Sequence, residues 1–288
     1  MQFTEEVQQT LQHLKAQGKT YTQCVFLLAG EFGYSLPVAH RITEAVWNLD
    51  GNQHEIFHIP PGAGIACPEI DTRRHGASIP LSDRHVRVAF EQIAPRIVLL
   101  DDFLSDQECD ALCASAEGFS ASVVMSGNDA ATEVDRGIRT SMSATLPSSN
   151  IFVQKVQQRA AELLNWPLPQ CEALQIQRYL PGDQYKPHYD YFQPGADDFE
   201  QIVSRSGQRI GTLIMYLNTP EQGGDTYFWN LGIKIKARKG SALFFSYPDA
   251  TTRSGTFHGG DMVTAGEKWI ATQWLRTPPV PVSAAVAP

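Results

Sequence analysis

Apolar positions along the first fifty residues recur at helical spacing. Phe3, Val7, Leu11 and Leu14 fall three or four apart and Gly18 closes the run, which predicts a helix over 3–17. Further helices are predicted over 22–32 and 37–48, the latter with Pro37 in its first turn, where a missing N–H costs no hydrogen bond. Together these form a small helical N-terminal region, residues 1–50. Residues 51–95 place Pro60, Pro61, Gly62, Gly64, Pro68, Gly76 and Pro80 between short apolar runs, and predict a connector packed on a neighbouring domain. Gly62-Ala63-Gly64 has neither the third glycine nor the preceding strand of a dinucleotide-binding turn.

After residue 95 the pattern changes. Arg96-Ile97-Val98-Leu99-Leu100 reads as a buried strand, and Ser105-Asp106-Gln107-Glu108 is a capping box opening a helix that runs to about Glu117. A second helix is predicted over 151–165, stopped before Pro167. Short β-rich segments follow at 173–180, 209–217, 225–229, 233–237, 241–245 and 268–276, separated by Gly, Pro and Asn. Helices first and many strands later predict a mainly β fold with flanking helices, a sandwich or barrel spanning 96–277. Residues 278–288 form a Pro/Ala/Val-rich flexible tail.

Composition narrows the function. With 288 residues, 42% hydrophobic and 19% charged, the chain has ample material for a core. Acidic residues outnumber Lys plus Arg by 31 to 23, so the formal charge of −8 disfavours nucleic acid. A helix-turn-helix-like string at 33–41 offers only His40 and Arg41 as cations and reads as packing or partner docking. No stretch approaches the roughly 18 apolar residues of a membrane helix, and the start lacks a basic, then apolar, leader; the expectation is no membrane and a cytoplasmic address. Five scattered cysteines, an odd number, read as reduced, with Cys109 and Cys113 as buried small hydrophobes. Nothing in the pattern sets an oligomeric state.

The chemistry concentrates late in the chain. In His188-Tyr189-Asp190 the outer two residues share a strand face while Tyr189 points away. With His258 from a later strand they offer two imidazoles and one carboxylate to one face of an octahedral metal, a set that favours Fe(II) and leaves three positions for a bidentate cosubstrate and O2. Ten residues past His258, Lys268 opens an alternating segment and supplies a cation for the distal carboxylate of a ligand such as 2-oxoglutarate. Thr212 and Tyr179 either add hydroxyls there or are an ordinary strand Thr and a core Tyr.

These residues resemble the catalytic domain of prolyl 4-hydroxylases, within the 2-oxoglutarate and Fe(II)-dependent dioxygenases. The resemblance covers about 96–276. It rests on Asp101-Asp102-Phe103-Leu104-Ser105 with Glu108-Cys109, Arg139-Thr140-Ser141, Leu174 through Tyr179, Gln184 through Asp190, Thr212 through Asn218, Gly223 through Phe228, Lys239 through Phe245, and His258 through Trp274. It implies a double-stranded β-helix, a jelly-roll-like pair of sheets. It also implies that His188, Asp190 and His258 ligate iron, that Lys268 binds 2-oxoglutarate with Tyr179 and Thr212, and that Tyr185, Arg139, Ser141 and Trp274 line the substrate side. Glu172 matches a substrate-side position too, but lies seven residues from Tyr179, on the opposite face of an unbroken strand, and is left out of the site.

Two departures from the family pattern stand out: Phe228-Trp229 where Phe-Pro is common, and Gly260-Asp261-Met262 after the distal His. The implied activity is hydroxylation of a C–H bond with release of succinate and CO2, ascorbate being a candidate reductant. The substrate is a prolyl residue in a peptide or protein; the alternatives are a free amino or imino acid, its carboxylate clasped by Arg139 or Arg276, and a non-enzymatic binding module. The polar stretches 125–138 and 193–208 are expected to act as lids.

Overall fold

Strands dominate the described part of the chain: β1 (Ser78–Pro80), β2 (His85–Gln92), β3 (Ile97–Asp101), β4 (Ser120–Ala121), β5 (Met142–Thr145), β6 (Gln175–Tyr179), β7 (Tyr185–His188), β8 (Arg209–Tyr216), β9 (Gln222–Gly223), β10 (Thr226–Phe228), β11 (Ile233–Ile235), β12 (Ala242–Ser246), β13 (His258–Gly260), β14 (Val263–Ala265) and β15 (Lys268–Arg276). The computed structural model describes residues 5–19, 21–30, 39, 42–43, 46, 67–122, 138–194, 196, 198–247 and 250–279. Residues 51–66 with the Gly62-Ala63-Gly64 turn, most of the expected lid at 125–138, and the tail from 280 lie outside them, as does much of the third N-terminal helix.

The strands form a nine-stranded antiparallel sheet, ordered β1-β2-β3-β12-β8-β15-β6-β5-β4, a four-stranded sheet, β11-β10-β13-β7, and the pair β14-β9. Side-chain alternation explains how the two larger sheets lie. In β8, Leu213 and Met215 point to one cluster and Ile214 and Tyr216 to another. Ala242 and Phe244 of β12 join the first, while Leu243 and Phe245 join the second. The second cluster also holds Phe228, Ile235 and Val263, so it is the filling between the sheets. Both faces of the central strands are buried, which is why they read as continuous apolar runs.

The first cluster lies under two helices, Asp106–Ala114 and Ile151–Leu164, which contribute Leu112, Val153, Val156, Ala160, Leu163 and Leu164. The expected capping box is present: the Glu108 N–H donates to Ser105 Oγ, and the Ser105 N–H to Glu108 Oε2 at 2.9 Å. The helix ends before Glu117 because the Ser115 hydroxyl bonds back to the Ala111 carbonyl at 2.7 Å and the chain leaves.

A third layer covers the other side. Helices Glu5–Ala16 and Tyr21–Gly30, with the buried helical residues Ala39, Ile42 and Val46, form a cluster with Val7, Leu11, Tyr21 and Leu28 that includes Phe257, beside β13. Tyr189 and Trp229 pack against it from the ends of β7 and β10. The small sheet is thus filled from within by one cluster and covered from outside by the N-terminal helices.

Two expectations change. The segment read as a connector contains the hairpin β1–β2, which extends the large sheet beyond β3 through pairs such as Val88 with Leu100. Gly76 precedes and Pro80 ends the first strand of that hairpin, and the strands begin before residue 96. The expected lid at 193–208 contains a helix, Phe199–Ser206, with Val203 buried. Among the described residues no helix is long and apolar enough to cross a membrane.

One buried cation ties the helical layer to the sheet. Arg159 donates to Asp83, to both Glu108 oxygens and to the Phe103 carbonyl, while Lys155 Nζ stands 3.1 Å from Glu108. Burial alone would raise the Glu108 carboxyl, but Arg159, the Ser105 N–H and Lys155 hold it down at about 2. Arg159→Leu removes the buried guanidinium that two carboxylates share, leaving Glu108 to Lys155 and Arg84, and is expected to cost about 3–5 kcal/mol in denaturant unfolding. Because the Glu108 pKa is depressed below its ordinary 4.5, its contribution is complete above that pH and lost as pH falls towards about 2. Stability is expected to decline through that window, and the Glu108→Gln variant to show a shallower decline.

Candidate metal centre

β7 ends at His188 and β13 begins at His258, and the two residues are Cα partners across the antiparallel pair. That pairing sets the rings side by side, centroids 4.4 Å apart. His188 Nδ1 lies 2.8 Å from the Lys186 carbonyl, and His258 Nδ1 lies 2.9 Å from the Thr256 carbonyl. A carbonyl only accepts, so each Nδ1 carries the proton and each Nε2 keeps its lone pair. Asp190 completes the group, Oδ1 being 3.4 Å from His188 Nε2 and Oδ2 3.7 Å from His258 Nε2. The ligand atoms all lie within 4.8 Å of one another. Two neutral nitrogens and a carboxylate, each ring oriented by a carbonyl, suit Fe(II) with one coordination face left open.

The strand geometry differs from expectation. β7 stops at His188, and Asp190 lies in the bend that follows. Its convergence with His188 comes from that bend, not from strand alternation, although Tyr189 does turn away, stacking on Tyr191 at 4.9 Å. Burial would raise the Asp190 carboxyl, yet His258, His188 and Arg209 hold it well below the usual carboxylate range. His258 is pushed down to about 4 by burial and by His188, so its ring is neutral at pH 7.

Lys268 is buried, 3% exposed, with its side chain against Gly224 and Gly260. It pairs with Tyr179 across β15 and β6, its Nζ 5.5 Å from that ring and 5.8 Å from the Tyr216 ring. Burial lowers its pKa to about 8, with Asp225 and Asp261 opposing. The backbone is tight here: a Cβ on Gly223, at φ +79°, would stand 2.2 Å from the Met262 carbonyl oxygen.

Thr212 is the expected residue that the structure moves. Its Cα partner on β15 is Trp274, six residues from Lys268, or about 20 Å along the strand. A hydroxyl that far away does not share a carboxylate with Lys268. Thr212 Oγ1 instead donates to Asp190 Oδ2 at 2.7 Å and lies 2.7 Å from the Tyr247 hydroxyl. An ionised Asp190 accepts only, so Tyr247 donates to Thr212 and Thr212 to Asp190. The hydroxyl nearest the lysine pocket on β8 is that of Tyr216, which donates to Thr226 Oγ1 at 2.9 Å.

The residues expected on the substrate side border the triad. Tyr185 stacks on His188, centroids 3.6 Å apart, and burial pushes its phenol up to about 12. The Arg139 guanidinium carbon lies 4.7 Å from the Tyr185 ring centroid, and its Nε donates to Ser141 Oγ at 3.1 Å. Trp274 sits under the Arg209 guanidinium at 4.1 Å, and Arg209 Nη1 reaches the Asp190 carbonyl at 3.4 Å.

Arg209 and Tyr247, which the sequence reading missed, and Glu172, which it set aside, belong to this neighbourhood. Glu172 accepts two bonds from Arg209, at 2.5 and 2.8 Å, and one from Arg276 at 2.7 Å. Strand alternation excluded it, but regular β6 begins only at Gln175, so the count from Tyr179 does not extend that far. Arg209 is hidden for a related reason. Gly211 pairs with Leu275 and Arg209 with Arg276, so the register slips by one residue and alternation along β8 is interrupted before Arg209. Tyr247 follows Leu243 and Phe245 at strand spacing, a detectable signal, but its partner Thr212 lies on another strand.

The chain is similar to proteins of known family. A family model described as the 2OG-Fe(II) oxygenase superfamily matches residues 174–276. "Probable prolyl 4-hydroxylase 7" of Arabidopsis thaliana is 35% identical over 202 residues, 63% of this chain and 62% of that protein. "Prolyl 4-hydroxylase 1" of the same plant is 36% identical over 201 residues, 64% of this chain and 69% of that one. Among solved structures, a viral collagen prolyl hydroxylase from Paramecium Bursaria Chlorella virus-1, in its 2OG complex, is 34% identical with a TM-score of 0.49, covering 62% of this chain and 95% of the other.

Thr212→Val tests the reassigned hydroxyl. One lost hydrogen bond to a charged group is worth about 1.5–3 kcal/mol. Fe(II) affinity is therefore expected to fall by at least tenfold, while the apparent 2-oxoglutarate affinity at saturating metal stays within about threefold of the parent, measured by anaerobic titration.

Proposed function

Because the chain belongs to the prolyl 4-hydroxylases of the 2-oxoglutarate and Fe(II)-dependent oxygenases, we propose that it hydroxylates a C–H bond of a prolyl residue in a peptide or protein, consuming O2 and 2-oxoglutarate and releasing succinate and CO2. The matched region spans 62% of one curated relative and 69% of another, so activity and substrate are this reading's inference. The observation that carries it is the convergence of two lone-pair Nε2 atoms and one carboxylate, with a buried lysine whose Nζ lies against Gly260, two residues past His258.

His188, Asp190 and His258 would hold the metal, which when bound supplies the redox chemistry that makes O2 usable. The protein side chains orient and shield. The Lys186 and Thr256 carbonyls fix the two ring tautomers, and the Tyr247–Thr212 relay fixes one carboxylate oxygen of Asp190. Lys268 would receive the distal carboxylate of 2-oxoglutarate, with Tyr179 beside it. Ile214, Phe228, Phe245, Val263 and Ile270 keep water from the pocket between the sheets. Tyr185, Arg139 and Trp274 would present the prolyl residue, apolar rings holding the pyrrolidine and Arg139 the peptide carbonyls.

A free amino acid as substrate is less well supported, because Arg276, one of the two cations available to clasp its carboxylate, already serves Glu172. The reading includes a cytoplasmic address, supported by five cysteines that carry no disulfide, and ascorbate as reductant.

Anaerobic addition of Fe(II) and 2-oxoglutarate is expected to give a visible charge-transfer band that His188→Ala or Asp190→Ala abolishes; a band indifferent to both would contradict the site. Lys268→Ala is expected to raise the 2-oxoglutarate requirement at least tenfold, a charged hydrogen bond being worth about 1.5–3 kcal/mol. Its pKa near 8 adds a pH signature. Below that value the ammonium is already charged; above it binding must also recruit a proton, so affinity should fall by up to about tenfold per pH unit. For the substrate, mass spectrometry should find a +16 Da product among proline-containing peptides and none among free amino acids.

A further inference from the structure

Side chains in the small sheet alternate between the triad face and an outer face, and on the outer face the N-terminal helices meet the residues beside His188, Asp190 and His258. Tyr189 lies between His188 and Asp190, and Phe257 directly precedes His258. Their rings touch each other at 4.9 Å. Tyr21, at the start of helix Tyr21–Gly30 and only 3% exposed, closes the triangle, 6.0 Å from Tyr189 and 6.3 Å edge-on to Phe257. Trp229 packs against the same cluster, and its backbone N–H donates to the Phe257 carbonyl at 2.9 Å. The proline common in the family at that position has no N–H to give.

The ligand-bearing strands need such support. β7 has four residues and β13 three, and their register already shifts between His258 and Gly260. So short and irregular a ladder fixes little by itself. Asp190 lies outside it altogether. The bend through Tyr189 and the entry through Phe257 are restrained by hydrogen bonds from Arg209, Thr212 and the Trp229 N–H and by side-chain packing, which on the outer side is supplied by the helices.

We propose that the N-terminal helical layer is a positioning element of the metal centre, with Tyr21 acting through Tyr189 and Phe257 to hold His188, Asp190 and His258 at ligand spacing. The proposal rests on the metal-site reading above. Supporting groups behind metal ligands typically change affinity by about 10- to 100-fold when altered. Residues 5–30 therefore contribute to Fe(II) retention from behind the strands that carry the ligands.

The test uses the full chain. Fe(II) is titrated anaerobically at saturating 2-oxoglutarate, the charge-transfer band is read, and folding is checked by circular dichroism at the same temperature. Tyr21→Ala is expected to weaken the Fe(II) midpoint by about 10-fold or more, and Tyr21→Phe, which keeps the ring, to restore it. Val156→Ala, a truncation in the opposite helical layer with the residue fully buried, controls for general destabilisation and is expected to leave the midpoint unchanged. Should Tyr21→Ala fail to fold, Tyr21→Leu, which keeps apolar volume without the aromatic contacts, is expected to show the same loss. An unaltered midpoint in the folded Tyr21 variant, or an equal loss in Val156→Ala, would overturn the proposal while the metal site stands. Absence of any band in the unmodified chain would overturn both.

Discussion

The pairing of His188 with His258 across two short antiparallel strands is the contact on which the site depends. Direct opposition brings two imidazoles within ring contact, and each is turned by a backbone carbonyl two residues earlier in its own chain. Two nitrogen lone pairs facing one another in a dry interior, with a carboxylate between them, are poorly satisfied by each other and well satisfied by a cation. The fold spends its two sheets and both helical layers on keeping that arrangement buried and in place.

From this constraint the division of labour follows. The large sheet is rigid: its central strands pair on both sides and carry apolar residues on both faces, with a helix pair locked down through Arg159. It supplies Lys268, Tyr179, Thr212 and Trp274, with Tyr247 just past the end of β12. The small sheet is short and irregular and supplies the two imidazoles, with the carboxylate just past its end. Bonds between the sheets couple them. Tyr247 and Thr212 hold Asp190 from the large sheet, and Arg209, braced by Glu172, reaches the same aspartate's carbonyl.

Irregular backbone explains where residue counting misleads. Alternation holds inside β15, where Lys268 and Trp274 lie six apart and are both buried, and inside β12. It stops at strand ends and at shifts in register. Asp190 lies past the end of β7, Glu172 before the start of β6, and Arg209 beyond a slip in register. Each was misplaced or overlooked for that reason, and each sits beside the metal group. Gly76 and Pro80 show the complementary case, turn residues that bound a hairpin on the edge of the sheet rather than a linker.

The strand-rich architecture, the capped helix at Ser105 and the three groups with metal-binding chemistry are legible one residue at a time, because local periodicity and side-chain type are properties of nearby residues. The same holds for the lysine, whose place at the start of an alternating segment is visible in one dimension. Folding in three dimensions is what sets Thr212 on Asp190 rather than Lys268, gathers Arg209 and Arg276 on Glu172, and lays the N-terminal helices over the back of the strands that carry the two imidazoles. Those relations join segments tens to hundreds of residues apart, and no local pattern records which distant side chain completes a hydrogen bond or fills a face.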